Sequence, residues 1–367
     1  MTNHDAEVTV SVPMNIALIK YWGKRDEELI LPLNDSISLT VDELRATTTI
    51  RMIEGGSGKS TVTINGEQLE SLNKRYERVF QEATRVLRKR KDGENKAPGH
   101  FFQVTSTTNF PVAAGLASSA AGFGAMAMGF KSLLNLDDAT ANRMARIGSG
   151  SACRSMYPGL VQWKMGERED GTDCFAERVD TSNWESLTCV ILVFNDARKK
   201  IGSSEGMRRS RDTSTLLEHR LRHVVPERIE AIRTAYESRN FEQLAQLTMD
   251  DSNQFHAVCL DSRPPIRYLN EASWHLIETV EDFNRESTRV AYTFDAGPNA
   301  CVLMEKQNVM DFLKIAVENF EIDSEDVKRA EEQLGEHLET SNVEHNRPFK
   351  CSKLIVSTMG GGPKIGA

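Results

Sequence analysis

Hydrophobic and polar residues alternate along several short segments in the first half of the chain, which is typical of strands that bury one face. Together with short apolar runs, this pattern predicts strands at 7–12, 46–53, 60–64, 100–108, 160–165 and 187–194. The dipeptide Asn65-Gly66 directly follows the third of these strands and is a strong signal for a hairpin turn. Apolar positions at helical spacing predict helices at 73–91, 115–133 and 137–147.

The second half of the chain has a different pattern. Helical spacing runs from about residue 203 to residue 285, with interruptions near Pro226, Arg239-Asn240 and Pro264-Pro265. Strands are expected to return at 290–294 and 353–358. A strand-rich half followed by a helix-rich half predicts an α+β fold of two domains, which we place at residues 1–190 and 191–367.

Composition narrows the class of protein. The 367 residues are 39% hydrophobic and 27% charged, a balance that supports a sizeable core and excludes a disordered, collagen-like or coiled-coil chain. With 45 Lys+Arg against 53 Asp+Glu, the net charge of −8 argues against nucleic-acid binding but leaves room for a local basic pocket. The six cysteines include no Cys-x-x-Cys pair, and the chain opens without a signal peptide, so we expect reduced thiols in a cytoplasmic protein.

The segment 101–130 contains no charged residue and is long enough to span a membrane. It is rich in Ser, Thr, Ala and Gly, which favour insertion into a membrane only weakly. We therefore expect that this segment does not span a membrane. Within it, Gly115 and its small neighbours would let backbone N–H groups approach a phosphate at a helix N-terminus. Ser118 and Ser119 offer hydroxyls to phosphate oxygens or Mg²⁺. On spacing alone, a buried Ala/Gly helix with a serine cap fits equally well.

A second loop of small residues, 148–155, reads Gly-Ser-Gly-Ser-Ala-Cys-Arg-Ser. Its Arg154 could bind a carboxylate or a phosphate in bidentate fashion, although a lone arginine here is more typical of the surface at a helix start. The block 15–24 places two lysines beside Tyr21 and Trp22, which suits a compact anion with an apolar body. An amphipathic turn with solvated lysines is the alternative.

Two further features lie in the second half of the chain. Asp295 ends a predicted strand just before Gly297-Pro298, where an ordinary turn aspartate is the commoner outcome. Basic residues flank the pair Ser203-Ser204, and such a cluster is either a solvated face or a local funnel for an anionic substrate.

Four blocks of the sequence together resemble the GHMP kinase superfamily and, within it, the mevalonate diphosphate decarboxylase family. The blocks are Asn-Ile-Ala-Leu-Ile-Lys-Tyr-Trp-Gly-Lys at 15–24, Pro-x-Ala-Ala-Gly-Leu-Ala-Ser-Ser-Ala-Ala-Gly at 111–122, Gly-Ser-Gly-Ser-Ala-Cys-Arg-Ser at 148–155 and Phe-Asp-Ala-Gly-Pro-Asn-Ala at 294–300. They occur in the family's order and spacing, so the resemblance covers most of the chain.

The resemblance implies a fold and a reaction. The fold would be an N-terminal domain like domain 2 of ribosomal protein S5 and a C-terminal ferredoxin-like helical domain, with the active site in the cleft between them. The reaction would be the ATP-dependent decarboxylation of (R)-5-diphosphomevalonate to isopentenyl diphosphate, with release of ADP, phosphate and CO₂. Mg²⁺ would accompany the nucleotide, and the family suggests a cytoplasmic homodimer that supplies isoprenoid and sterol precursors.

The resemblance also implies roles for individual residues. Asp295 would orient or deprotonate the substrate's 3-hydroxyl, Lys20 would pair with Asp295, and Arg154 would bind the substrate carboxylate. ATP would lie on Gly115, Leu116, Ala117, Ser118 and Ser119, with Mg²⁺ carried by ATP and held through Ser118 rather than by a metal site of the protein. The substrate would contact Asn15, Tyr21, Trp22, Gly23, Lys24, Arg75, Ser149, Gly150, Ser151, Ala152, Cys153, Ser203 and Ser204.

Other members of this group remain as alternatives. A mevalonate 3-kinase would stop after phosphorylation, and a phosphomevalonate decarboxylase would use the monophosphate substrate. Several kinases of the superfamily carry an aspartate within the loop at 149–153, where this chain has Ala152-Cys153 followed by Arg154, and this difference favours a decarboxylase. A non-catalytic nucleotide-binding relative would not need Asp295, Lys20 and Arg154 together.

Overall fold

The computed structural model describes residues 6–55, 58–90, 99–110, 118–180, 182–195, 200–338 and 347–366. The strands are β1 (Ala6–Ile19), β2 (Lys24–Asp26), β3 (Leu31–Pro32), β4 (Ser36–Glu54), β5 (Thr61–Ile64), β6 (Glu67–Gln68), β7 (His100–Thr108), β8 (Leu160–Trp163), β9 (Ala176–Arg178), β10 (Leu187–Val193), β11 (Val290–Phe294), β12 (Ala300–Glu305), β13 (Phe320–Ile322), β14 (Phe349–Cys351), β15 (Lys353–Thr358) and β16 (Lys364–Ile365).

The α-helices are α1 (Lys74–Arg90), α2 (Ser118–Leu133), α3 (Asp138–Gly148), α4 (Ser203–Thr213), α5 (Thr215–His219), α6 (Val225–Glu237), α7 (Phe241–Asp261), α8 (Glu271–Phe283), α9 (Val309–Asn319) and α10 (Ser324–Leu334). Gly150–Met156 and Lys306–Asn308 form 3₁₀ helices, and Arg220–Val224 forms a π-helical turn between α5 and α6. The mixture of sheets and helices confirms the predicted α+β fold.

The larger sheet is built around the long antiparallel pair β1 and β4. Its strand order is β16-β1-β4-β7-β5-β6, and β8 and β9 extend it from the other half of β4. Helix α2 packs across β1 and β4. A Cβ on Gly129 of this helix would lie 2.7 Å from Ile50, so the missing side chain lets helix and sheet approach closely. The small residues of the charge-free segment therefore serve packing along the described part of α2.

The smaller sheet has the order β11-β12-β10-β15 and is antiparallel throughout. Its apolar residues join those of β1, β4 and β8 in one buried cluster, which includes Ile16, Leu39, Val190 and Phe294. Residue 190, where we place the domain boundary, lies inside β10. The division of the chain at this residue stays a prediction.

In the first half, the strands predicted at 60–64, 100–108, 160–165 and 187–194 and the helices predicted at 73–91 and 137–147 agree with the structure within two residues. The strands predicted at 7–12 and 46–53 are only parts of longer strands, since β1 continues to Ile19 and β4 begins at Ser36. Of the helix expected at 115–133, residues 118–133 form α2, and residues 115–117 lie outside the described residues. The hairpin turn is correct, because Thr63 pairs with Gln68 across Asn65 and Gly66, both at positive φ. In the second half, the break expected near Pro226 is wrong. The chain stays helical there, since Pro226 occupies the first turn of α6, where the missing N–H costs little. No helix in the described ranges combines the length and hydropathy required to cross a bilayer.

Candidate active site

A cavity of about 720 Å³ opens where the ends of β1 and β11 meet the N-terminal part of α2 and the 3₁₀ helix 150–156. The structure brings most of the predicted site residues to its wall. These residues are Asn15, Lys20, Tyr21, Trp22, Lys24, Arg75, Ser119, Ser149, Gly150, Ser151, Arg154, Ser203, Ser204 and Asp295. Residues far apart in the sequence, such as Lys20 and Asp295 at a separation of 275 positions, therefore share one cavity.

Lys20 and Asp295 form an ion pair at the centre of this site. Each directly follows a strand, Lys20 after β1 and Asp295 after β11, so the two strand ends bring the side chains together. Lys20 Nζ lies 2.8 Å from Asp295 Oδ1. The lysine side chain is 3% exposed and the aspartate 26% exposed, so the carboxylate keeps one side open to the cavity.

Arg154 is buried at another wall of the cavity and is held by neutral groups. Its Nε donates to Ser38 Oγ at 2.9 Å and to Asn15 Oδ1 at 3.3 Å, and its Nη1 donates to Ser36 Oγ. Burial lowers the pKa of Arg154 from its usual value. Among the described residues, no carboxylate forms an ion pair with Arg154 and no group accepts a hydrogen bond from its Nη2. An anionic ligand in the cavity would supply both.

Tyr21 and Trp22 point to different walls. The Tyr21 ring packs edge-on against Trp163 at 4.7 Å between ring centres, and its buried hydroxyl has no hydrogen-bond partner in the described part of the chain. Burial raises the pKa of this hydroxyl, so it stays protonated and can donate to a ligand. Trp22 Nε1 donates to Ser210 Oγ at 2.8 Å, and its ring packs on Phe255.

The cavity also contains two cations that the sequence did not single out, Lys74 and Arg78, which lie beside Arg75 on α1. Arg208, on α4, belongs to the basic cluster that flanks Ser203-Ser204 and also lies in the lining. The spacing of residues 74, 75 and 78 on one helix face is the signal that could have found Lys74 and Arg78. The charged residues of the described lining are Lys20, Lys24, Lys74, Arg75, Arg78, Arg154, Arg208, Glu27 and Asp295. Seven cations against two carboxylates give this wall an excess of five positive charges, although the chain as a whole is acidic.

Three residues expected to contact the substrate do not line the cavity. Ala152 and Cys153 belong to the 3₁₀ helix 150–156 and are completely buried, and Cys153 Sγ donates to the Gly150 carbonyl oxygen at 3.0 Å. Gly23 lies between β1 and β2 at φ +95°, where a Cβ would lie 2.6 Å from Leu33. Its role in this structure is therefore conformational. The small or apolar character of these residues serves packing in this structure, and their contact with the substrate stays a prediction.

Much of the predicted nucleotide loop lies outside the described residues. This holds for Gly115, Leu116 and Ala117, whose assignment to ATP stays a prediction. Ser118 begins α2, and Ser119 Oγ lies 3.2 Å from Ser149 Oγ at the cavity wall. The N-terminus of α2 and the segment 148–155 thus meet at one edge of the cavity. Within the described ranges, no group of three or more His, Cys, Asp or Glu residues could hold a metal ion.

Comparisons with known proteins identify the family of the chain. Residues 12–176 match the model of the diphosphomevalonate decarboxylase-like N-terminal domain, and residues 189–366 match that of the mevalonate 5-diphosphate decarboxylase C-terminal domain. The bovine diphosphomevalonate decarboxylase is 44% identical over 374 residues, which cover 98% of this chain and 93% of the bovine protein.

Solved structures show the same relationship in three dimensions. Mevalonate diphosphate decarboxylase from Trypanosoma brucei superposes with a TM-score of 0.86 at 32% identity, over 99% of this chain and 98% of that chain. A structure of MDDEF in complex with MVAPP, AMPPCP and magnesium superposes with a TM-score of 0.77 at 29% identity, over 98% of this chain and 99% of that chain. The chain therefore belongs to the diphosphomevalonate decarboxylase family of enzymes and has its GHMP kinase fold.

Proposed function

We propose that the Lys20–Asp295 pair and Arg154 carry out the reaction of this family in the shared cavity. The reaction is the ATP-dependent decarboxylation of (R)-5-diphosphomevalonate to isopentenyl diphosphate, with release of ADP, phosphate and CO₂. The observation that carries the assignment of residues is the 2.8 Å contact between Lys20 and Asp295 in the same cavity as Arg154, a buried arginine.

The positive charge of the cavity lining supports diphosphomevalonate as the substrate. Diphosphomevalonate carries a carboxylate and a diphosphate, and the described lining has an excess of five positive charges. A buried arginine without a carboxylate partner is costly, and a substrate carboxylate bound at Arg154 would offset that cost. Lys24, Arg75, Ser203 and Ser204 lie elsewhere on the wall, where they would hold the diphosphate.

The first chemical step transfers the γ-phosphoryl group of ATP to the substrate's 3-hydroxyl. Asp295 accepts a hydrogen bond from this hydroxyl and orients its oxygen toward the phosphorus, while the Lys20 ammonium fixes the carboxylate. Phosphoryl transfer depends mainly on positioning and on electrostatic stabilisation. The hydroxyl proton goes to Asp295 as the oxygen–phosphorus bond forms and the bond to ADP breaks.

The second step is an elimination. The bond between C3 and its phosphorylated oxygen breaks and phosphate leaves with the bonding electrons. The bond between C2 and the carboxylate carbon then breaks, CO₂ leaves, and its electron pair forms the double bond between C2 and C3. Arg154 holds the carboxylate in position for this step, and Ser36, Ser38 and Asn15 fix the plane of its guanidinium.

ATP and Mg²⁺ are proposed as co-substrate and metal. AMPPCP and magnesium accompany MVAPP in the MDDEF complex, and here Ser119 lies at the cavity wall one residue after the first residue of α2. As the family resemblance implies, Mg²⁺ would be held by the phosphates of ATP and by Ser118. The metal would supply positive charge that offsets the charge of the transferring phosphoryl group.

We also propose a cytoplasmic location and a homodimer. The six cysteines are all free and buried, which suits a reducing compartment. The homodimer rests on the family resemblance alone and is tested by light scattering of the purified chain.

The test of the function is a stoichiometry. Purified enzyme is given ATP, Mg²⁺ and diphosphomevalonate, and ADP and ¹⁴CO₂ from carboxyl-labelled substrate are counted in the same tube. We expect one CO₂ for each ADP. ADP without CO₂ would instead identify a 3-kinase, a preference for the monophosphate would identify a phosphomevalonate decarboxylase, and neither product would identify a non-catalytic relative.

A further inference from the structure

Helix α7 contacts the backbone next to both members of the Lys20–Asp295 pair. It packs against β1, whose end carries Lys20, and against β11, whose end carries Asp295. The polar residues of this helix at the two contacts are Asp251, Ser252 and His256, and all three are buried. None of them is among the residues that line the cavity.

On the Lys20 side, the contact is made by Asp251. Its Oδ2 accepts the backbone N–H of Lys20 at 2.8 Å. The carboxylate is fixed in turn by Arg220, whose two terminal nitrogens donate to its two oxygens at 2.7 and 2.9 Å, and by Arg228. Burial alone would raise the pKa of Asp251, but the two arginines and the Lys20 N–H outweigh it and hold the pKa below its usual value.

The other backbone group of Lys20 is held as well. Asn34 Nδ2 donates to the Lys20 carbonyl oxygen at 3.0 Å, and Arg220 Nη2 donates to the same oxygen at 3.3 Å. Both peptide groups that flank the Lys20 side chain are therefore fixed by buried hydrogen bonds. This restricts where its ammonium can lie.

On the Asp295 side, the contacts go to Phe294, the residue that precedes Asp295. Ser252 Oγ accepts the Phe294 N–H at 3.1 Å, and the His256 ring packs edge-on against the Phe294 ring at 6.2 Å between ring centres. Residues 251 and 252 are adjacent on α7, so one helical turn sets the distance between the two strand ends.

We infer that Asp251 is a positioning residue for Lys20 and Ser252 one for Asp295, so that α7 aligns the pair for phosphoryl transfer. The inference rests on the proposed roles of Lys20 and Asp295. It adds a buried ion pair and a serine, outside the cavity, to the residues on which kcat depends. Misplacement of a reacting group by about 1 Å can cost about 100-fold in rate.

The test is a double-mutant cycle on kcat with Asp251→Asn and Lys20→Met. If Asp251 acts through Lys20, Asp251→Asn lowers kcat at least tenfold in the wild-type background, with the KM for both substrates within threefold. In the Lys20→Met background it then lowers kcat by less than twofold, because the group it positions is already gone. If Asp251→Asn lowers kcat by the same factor in both backgrounds, the inference is overturned.

Asp326→Asn is the matched control. Asp326 is also a buried aspartate that pairs with an arginine, Arg329, and accepts a strand N–H, that of Leu354 at 2.9 Å, but it lies away from the cavity. We expect it to lower the melting temperature and leave kcat unchanged. If it lowers kcat as much as Asp251→Asn does, the effect is general destabilisation and the inference is wrong.

Ser252→Ala keeps the proposal testable if Asp251→Asn fails to fold. Its control is Ser357→Ala, since Ser357 is a buried serine that accepts the backbone N–H of Glu43 at 3.0 Å. We expect a several-fold loss of kcat in the first variant only, and equal kcat in both would overturn the inference. A fully active Lys20→Met enzyme would refute the proposed function instead, so the two failures are distinguishable.

Discussion

Replacing Lys20 by methionine removes the ammonium from its contact with Asp295 and keeps most of the apolar stem. The contact is 2.8 Å long, and the lysine side chain is 3% exposed. Asp295 is 26% exposed, so water can solvate the carboxylate that is left without its partner. We therefore expect the variant to fold and the damage to appear in catalysis.

The size of the effect follows from the contact. A hydrogen bond to a charged group contributes about 1.5–3 kcal/mol. If this free energy is lost from the transition state, at about 1.4 kcal/mol per tenfold change in rate, kcat falls by roughly 10- to 150-fold. Substrate affinity should change little, because Lys20 contacts Asp295 rather than a free face of the cavity.

Steady-state release of ADP and CO₂ measures kcat and KM for each substrate. The matched control is Lys24→Met, which removes another buried lysine of the same cavity whose partner is Glu27 at 3.0 Å. For Lys24 we expect a higher KM for diphosphomevalonate and a nearly unchanged kcat. The reasoning is refuted if Lys20→Met keeps kcat within twofold of wild type, or if both variants show the same change in KM alone.

Three other outcomes are expected. Arg154→Lys keeps the positive charge but loses the guanidinium group that Ser36 and Ser38 hold. We expect kcat, measured by CO₂ release, to fall roughly 10- to 150-fold. An unchanged kcat would exclude the contact between Arg154 and the substrate carboxylate. Burial lowers the pKa of His256 to about 3, so its stabilising contribution is present above pH ~6.5 and is lost as the pH falls toward 3. Urea unfolding should therefore show that His256→Gln loses less stability than the wild type as the pH falls across this window, by up to ~1.4 kcal/mol per pH unit. The same dependence of stability on pH in both proteins would contradict the lowered pKa of His256. Burial raises the pKa of Cys153 to about 12, so iodoacetamide at pH 8 should label it only after unfolding. Labelling of Cys153 in the native protein, measured by mass spectrometry, would contradict this expectation.

The sequence predicted the elements with regular patterns well. The period-two strands around β1, β4 and β7 and the Asn-Gly hairpin depend on local spacing, which the structure keeps. Strand β12 and helices α9 and α10 were missed. The six residues of β12 are buried almost throughout, so no polar alternation marks them as a strand.

The shared cavity was predicted in part. The family blocks singled out Lys20, Arg154 and Asp295, which the structure brings to one cavity. The blocks could not separate side chains that line the cavity from buried side chains outside the lining, such as Cys153. They also did not identify Asp251, because its contact with Lys20 joins residues 231 positions apart and depends on tertiary structure. A helical aspartate has no sequence signal that distinguishes this role.

The most direct test of the central claim is the turnover of Asp295→Asn, with Glu27→Gln as the control for a second carboxylate of the same cavity. Titration calorimetry with diphosphomevalonate and an ATP analogue first checks that both ligands still bind. We then expect release of ADP and CO₂ to fall by about 10²- to 10⁴-fold in Asp295→Asn, and kcat to stay near wild type in Glu27→Gln. If Asp295→Asn keeps its activity within about threefold, the aspartate neither orients nor deprotonates the hydroxyl and the account is wrong.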